Sequence, residues 1–533
     1  MRRRALLTGA AAMAGAGLFM PHGANARWGT LNPRTNPWGP NASNRPISRI
    51  LEVFIYGGLS QWETFYLNPA SATGVTACAG GGACPVGPDP ANNMQWGTYK
   101  CQFEALANAD TRRPSGTPMT KELATNVHLG PPTYPLWRQD LFDHLQVLVC
   151  SHDLLPHEAA IPYALTGTRL GRPTMAGTGA FAARYFQANQ IPVSFVVKAG
   201  GGTPGDNLQA ATATGDLGSE YKPMFIEVPC GGPDLSVLNR QATPAQDLLL
   251  KYYLEQYRAR LTFPGQPAAT RSSAFAGFDA TLGQFLNTEA IRTLMASYDA
   301  NDNAVLQGEE PACVKGAASR CSGAAETDGV RQSLNFAAFL LRQDTTRYVC
   351  VIDTGRQDEA GAGYDTHANN AQGTYRSLSS TLEVIARLTD PNQPGGPKID
   401  PYTMIVINTE FGRTPNKQGS NGRAHYPYAY ANLIIPPAAS GPAFPFRPQR
   451  RVLGGINQDG RVEAQGSSSI AAITPTDLRA AMLIALGIDP LAKPDGGSLG
   501  SAFGVGDLSE GMQSATEDGV RANLVREVLG YDV

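Results

Sequence analysis

Five short apolar runs limit what this chain can fold into. They are Ile50 to Tyr56 (ILEVFIY), Leu145 to Cys150 (LQVLVC), Val193 to Val197 (VSFVV), Tyr348 to Ile352, and Thr403 to Asn408 (TMIVIN). A strand covered on both faces has no solvent side to alternate with, so it reads as a nearly continuous apolar run. Between the runs, apolar residues recur at three- and four-residue spacing over Gly177–Gln187, Ala245–Leu261, Ala274–Tyr298 and Val330–Arg342. A late helix over Thr476–Leu486 follows Thr474-Pro475, with capping chemistry at Thr476-Asp477, and stops at Gly487. Strands alternating with helices predict an α/β fold, a mostly parallel sheet covered on both faces.

The 533 residues, 42% of them hydrophobic, suffice for one large core with insertions. With 58 glycines and 40 prolines, long ordered loops are expected. Arg27 to Pro46 reads as the body of an extended surface arm spanning 27–48. The main domain is expected over 49–510, with a loop insertion at 68–125, a helical insert at 231–330 and a C-terminal tail at 511–533. A net charge of −2 offers no electrostatic footprint for nucleic acid.

Residues 1–26 read as an export signal. Arg2-Arg3-Arg4 precedes an apolar, small-residue run from Gly9 to Met20, and Ala24-Asn25-Ala26 offers a small-x-small cleavage site. The paired arginines before a weakly apolar core favour twin-arginine export. No later run reaches the roughly 18 apolar residues of a membrane span, so a periplasmic or secreted protein is expected. Eight cysteines suit an oxidising compartment. Cys313 and Cys321, separated by a short polar loop, are predicted to pair. Cys78, Cys84 and Cys101 share one irregular stretch, the partners of Cys101 and Cys230 stay open, and Cys150 and Cys350 read as buried thiols.

Carboxylates and imidazoles gather where the apolar runs end. The chain has seven histidines, and two of them fall in one window: Tyr364-Asp365-Thr366-His367, then Thr409-Glu410-Phe411-Gly412-Arg413-Thr414, then His425. Asp365 and His367, two apart on an extended loop, can converge on one ion with Thr366 turned away. Carboxylate with imidazole is ligand chemistry for a divalent metal, Zn, Mn, Ca or Mg. His157 opens a helix after the run ending at Cys150 and could serve as ligand, nucleophile or acid/base. Ser60, after Gly57-Gly58, is the other nucleophile candidate, His152 a supporting residue, and Arg413 and Arg169 candidate oxyanion clamps.

These stretches together resemble the domain-of-unknown-function 1501 family. Gly57-Gly58-Leu59-Ser60-Gln61-Trp62-Glu63-Thr64-Phe65, Tyr364 to Asn369, Glu410 to Pro415 and Gly422-Arg423-Ala424-His425 carry the resemblance, over roughly residues 48 to 490. It implies an alkaline-phosphatase-like three-layer α/β/α sandwich. In that superfamily one metal position uses an Asp, a following His and a late His, matched in order by Asp365, His367 and His425. The second position is depleted here: strand 1 ends in Gly57-Gly58, and Glu410, helped by Glu63, is left to serve it or to act as base. Leu165-Thr166-Gly167 places His157 where sulfatases carry their Cys or Ser, and no Cys-x-Pro-x-Arg sequence exists. The resulting expectation is an exported metal-dependent hydrolase of a phosphate- or sulfate-type ester, small or polymeric. The alternative is a non-catalytic secreted protein that keeps a structural metal and binds an envelope or polysaccharide partner.

Overall fold

The computed structural model describes residues 36–38, 45–72, 95–170, 176–187, 194–199, 223–227, parts of 245–256, 324–343, 346–355, 363–393, 396–419, 421–438, 451–465, 468–492 and 502–532. The export signal, the Ala274–Tyr298 helix, the Cys313–Cys321 pair and most of the 231–330 insert lie outside these residues.

Among the described residues, eight strands form one sheet: β1 (Arg49–Ile55), β2 (Gln146–Cys150), β3 (Phe195–Ala199), β4 (Met224–Glu227), β5 (Tyr348–Asp353), β6 (Thr403–Thr409), β7 (Tyr430–Ile435) and β8 (Val452–Leu453). Their order across the sheet is β8-β2-β7-β6-β1-β5-β3-β4. All neighbours run parallel except β7, which is antiparallel to both β2 and β6. Each of the five apolar runs is a strand of this sheet, and β1, β2, β5 and β6 are buried along their whole length. The mostly parallel α/β expectation holds, with β7 as the exception.

Side chains of successive strand residues point to opposite faces. Leu51, Val53 and Ile55 of β1 enter the core built with α4 (Ala324–Arg342) and α5 (Asn370–Leu388). Ile50 and Phe54 enter the opposite core, with α2 (His157–Thr166), α3 (Thr178–Gln187) and α6 (Pro475–Ala485). Helices therefore cover both faces. Each large apolar side chain so buried stabilises the fold by about 1.5–3 kcal/mol. Glu52, also facing the second core, is fully buried, and Arg479 of α6 donates to it through Nη1 at 2.6 Å. α6 begins at a capping box, Thr474 and Asp477 exchanging side-chain and backbone bonds.

Several expectations change. The 68–125 insertion is not all loop: α1 (Trp96–Ala109) lies inside it, and Lys121–Ala124 at its end pairs with Val127–Leu129 just beyond it. Trp96, Tyr99 and Phe103 of α1 pack with Ala371 and Tyr375 of α5, burial that a Gly/Cys/Pro-rich neighbourhood conceals. The arm is not merely a surface arm, since Trp38 is buried, bonds the Ile484 carbonyl at 3.2 Å and meets Tyr531 edge-on. Within the 511–533 tail, Val520, Leu524, Val525 and Val528 belong to the second core. Cys150 and Cys350 are buried free thiols on β2 and β5, and Cys101 is disulfide-bonded. No helix among the described residues is long and apolar enough to cross a membrane.

Candidate metal centre

The carboxyl ends of β1, β2, β5 and β6 share one edge of the sheet, and antiparallel β7 starts at that edge. Segments leaving four strands and the segment entering the fifth thus meet in one place. From β2 comes His152 and then His157, the first residue of α2. From β5 comes Asp365, from β6 Glu410, and His425 stands just ahead of β7.

His425 is carried by a two-residue ribbon in which His425–Tyr426 pairs antiparallel with Gly412–Arg413, setting His425 opposite Arg413. Asp365 and His367 sit on a tight turn, the His367 amide donating to the Asp365 carbonyl at 3.0 Å. Thr366 between them is buried and donates its hydroxyl to Asn370 at 2.7 Å, so it does turn away. Gly57, two residues past β1, has a φ of +113° that suits glycine; a Cβ there would meet the Asp365 nitrogen at 2.5 Å. The strand end can therefore close on the Asp365 turn.

Three imidazoles aim Nε2 at one oxygen. Asp365 Oδ1 lies 3.6 Å from His157 Nε2, 3.4 Å from His367 Nε2 and 3.6 Å from His425 Nε2. The Nε2 atoms of His367 and His425 are 2.9 Å apart. His157, Asp365 and His425 form a group whose ligand atoms all lie within 4.8 Å of one another, a set that could hold a metal ion. Ligand atoms around a four-coordinate ion with bonds of about 2.0–2.1 Å stand roughly 3.4 Å apart. The carboxylate–imidazole distances match that spacing and exceed hydrogen-bond length.

The other ring nitrogens decide which face each imidazole offers. His157 Nδ1 bonds Glu410 Oε1 at 3.0 Å, His425 Nδ1 the Leu155 carbonyl at 3.0 Å, and His367 Nδ1 Gln418 Oε1 at 3.1 Å. Each partner is an acceptor, so each Nδ1 carries a proton and Nε2 is the nitrogen left to face the centre. His157 Nε2 is buried and has no hydrogen-bond partner. Lone pairs and a carboxylate oxygen facing one point repel unless a proton or a cation joins them, and the His157–Asp365–His425 set has the donor chemistry to fit a divalent ion.

The charges agree. Burial works against Asp365 ionising, but His157, His425 and Arg413 hold its carboxyl well below the usual carboxylate range. Burial disfavours charge on His157, yet Asp365 and Glu410 outweigh it and raise its pKa to about 9, so without an ion the ring bridges the two carboxylates as a cation and a metal would take the place of its Nε2 proton. On His367 burial prevails and lowers the pKa, keeping the ring neutral. Phe411 backs the cluster, with ring centroids 4.9 Å from His157 and 4.4 Å from His425, and Tyr56 stacks on His157 at 5.7 Å.

The sequence model of a family described as "Protein of unknown function (DUF1501)" matches residues 47–435. The chain belongs to the DUF1501 family. No curated protein matches it. Every residue of the cluster falls inside the DUF1501 region, as does the ribbon that carries His425.

The remaining candidates in this DUF1501 chain divide between those that touch the cluster and those that do not. Ser60 is not presented as a nucleophile: it is fully buried and its hydroxyl bonds Glu63 Oε2. Glu63 is not at the cluster, because its carboxylate is buried in an ion pair with Arg423, which also donates to it from Nε at 3.1 Å. Glu410 reaches the cluster only through His157; its Oε1 also accepts the Gly57 amide at 2.7 Å. Arg413 is committed to the Gly57, Gly58, Tyr364 and Arg423 carbonyls and to Asp365, so it is a latch rather than an open oxyanion clamp. Arg169 pairs with Asp153 at 2.6 Å. His152 does support the site, donating from Nε2 to the Glu410 carbonyl at 2.6 Å. Sequence reasoning missed Gln418 and the Leu155 carbonyl; nothing in their local pattern marks them, since only their contact with an imidazole gives them a role.

Proposed function

We propose that the chain is an exported metal-dependent hydrolase of a phosphate- or sulfate-type ester, working with one divalent ion held by His157, Asp365 and His425 with His367 at the rim. The observation that carries this reading is the convergence of three Nε2 atoms on Asp365 Oδ1, with every Nδ1 already bonded to an acceptor. When bound, such an ion supplies Lewis acidity toward an ester oxygen and lowers the pKa of water.

The chain's own groups hold the geometry. Arg413 fixes Asp365 as the anionic member, and Glu410, Leu155 and Gln418 keep three imidazoles in the ligand tautomer. Phe411 and Tyr56 pack their rings against His157, an apolar surface that strengthens the charge interactions beside it. The His367 side chain is 46% exposed, so the centre opens to solvent on that side, where an ester can approach. The choice of a phosphate- or sulfate-type ester leans on the resemblance of the Asp-Thr-His and late-His pattern to the alkaline phosphatase/sulfatase superfamily, and the twin-arginine start supports export.

The locked state of Ser60 and Glu63 favours a second reading, a non-catalytic secreted protein whose ion is structural. Metal content of the purified chain and turnover of aryl phosphate, phosphodiester and aryl sulfate esters separate the two. One ion per chain with turnover lost in Asp365→Ala supports the hydrolase. One ion with no turnover of any ester supports the binding protein, and absence of metal overturns both.

A further inference from the structure

Glu410 is a costly residue to bury. Its carboxylate has no solvent exposure, and among the described residues its one ion-pair partner is His157. An unpaired buried carboxylate is strongly unfavourable, so this charge needs a positive counterpart that His157 can relay. Its three side-chain contacts show how it is set: the Gly57 amide at 2.7 Å and His157 Nδ1 at 3.0 Å on Oε1, and the Thr409 hydroxyl at 3.2 Å on Oε2. The His152 ring, bonded to the Glu410 carbonyl, holds the backbone of the same residue. Residues from the ends of β1, β2 and β6 therefore place one carboxylate oxygen on the far side of the His157 ring from Asp365.

We infer that Glu410 is a positioning residue: through Nδ1 of His157 it orients the ring and makes Nε2 a stronger donor toward the divalent ion. The inference rests on the metal reading above. It also ranks the three imidazoles. His157 is backed by a buried carboxylate, His425 by a backbone carbonyl, and His367 by the Gln418 amide on an exposed loop. His157 is the anchoring ligand and His367 the most readily released.

A double-mutant cycle tests the role, with Zn²⁺ or Mn²⁺ affinity measured by competition against a chromophoric chelator. Glu410→Gln keeps an oxygen acceptor for Nδ1 and for the Gly57 amide but removes the charge. It is expected to raise the metal Kd by roughly 10- to 100-fold, while its melting temperature in excess chelator stays close to that of the parent. His157→Ala is expected to weaken binding at least as much, and the double variant to be no weaker than His157→Ala alone, because Glu410 acts through that ring. Glu410→Asp, too short to keep the contact, is expected to resemble Glu410→Gln. An unchanged Kd in Glu410→Gln, or additive losses in the double variant, overturns the role and leaves the metal reading standing. A parent protein that binds neither ion overturns both.

Discussion

Arg413 donates from Nη2 to Asp365 Oδ1 at 2.7 Å, joining the ribbon that carries His425 to the turn that carries His367. The guanidinium is fully buried and also bonds backbone carbonyls at the end of β1 and on the Tyr364 turn. One side chain thus ties together three segments of the centre.

Arg413→Ala is expected to cost about 3–5 kcal/mol in unfolding free energy, since it strands buried acceptors and removes the countercharge of Asp365. Arg413→Lys should recover little, because one ammonium cannot match a planar fork. Denaturant unfolding measures both, and a loss under about 1 kcal/mol in Arg413→Ala would contradict the latch.

Metal removal should lower stability through linkage. With free ion at about 100 times its Kd, binding contributes about 2.7 kcal/mol. Chelator is expected to lower the melting temperature of the parent and to leave Asp365→Ala and the His157→Ala/His425→Ala pair unmoved. A parent midpoint indifferent to chelator and to added Zn²⁺ or Mn²⁺ would count against the centre.

Ser60 and Glu63 give opposite expectations. Ser60→Ala removes one hydroxyl from a carboxylate that keeps Arg423, so metal content and ester turnover should persist, with a stability loss of about 1–2 kcal/mol. Glu63→Ala leaves Arg423 buried without its partner and should cost about 3–5 kcal/mol. Abolished turnover in a folded, metal-loaded Ser60→Ala protein would restore Ser60 as nucleophile.

A pH signature is expected at the α1–α5 junction. Burial works against Asp110 ionising, but Arg112, bonded to it at 2.9 Å, prevails and holds its carboxyl below the ordinary 3.8. A depressed folded pKa contributes stability that is present above the unfolded value and is lost as pH falls through the folded one. Asp110→Asn should therefore lose about 1 kcal/mol at pH 7, and the gap to the parent should close progressively below about pH 5. A gap that stays constant with pH would refute the assignment.

Local patterns made much of this legible. β1, β2, β5 and β6 are continuous apolar runs because both their faces are covered, and a period read from a short window suffices to find them. The Asp365-Thr366-His367 turn is equally local, a carboxylate and an imidazole on alternate positions with Thr366 between. By contrast α1 and α5 hide in stretches rich in small and polar residues, and the antiparallel strand β7 carries no mark of its direction.

Sequence alone therefore determined the layered α/β class and the residue types of a candidate metal centre, since both follow from side chains within a few positions of each other. Tertiary structure decided which of them meet. The sheet order puts the ends of β2, β5 and β6 and the start of β7 at one edge, bringing His157 onto Asp365 beside His425. It gives Glu63 to Arg423 and Ser60 to Glu63, because a buried carboxylate must be paired wherever the fold supplies a guanidinium. No spacing in the chain encodes those meetings; they exist only once the strands have taken their order.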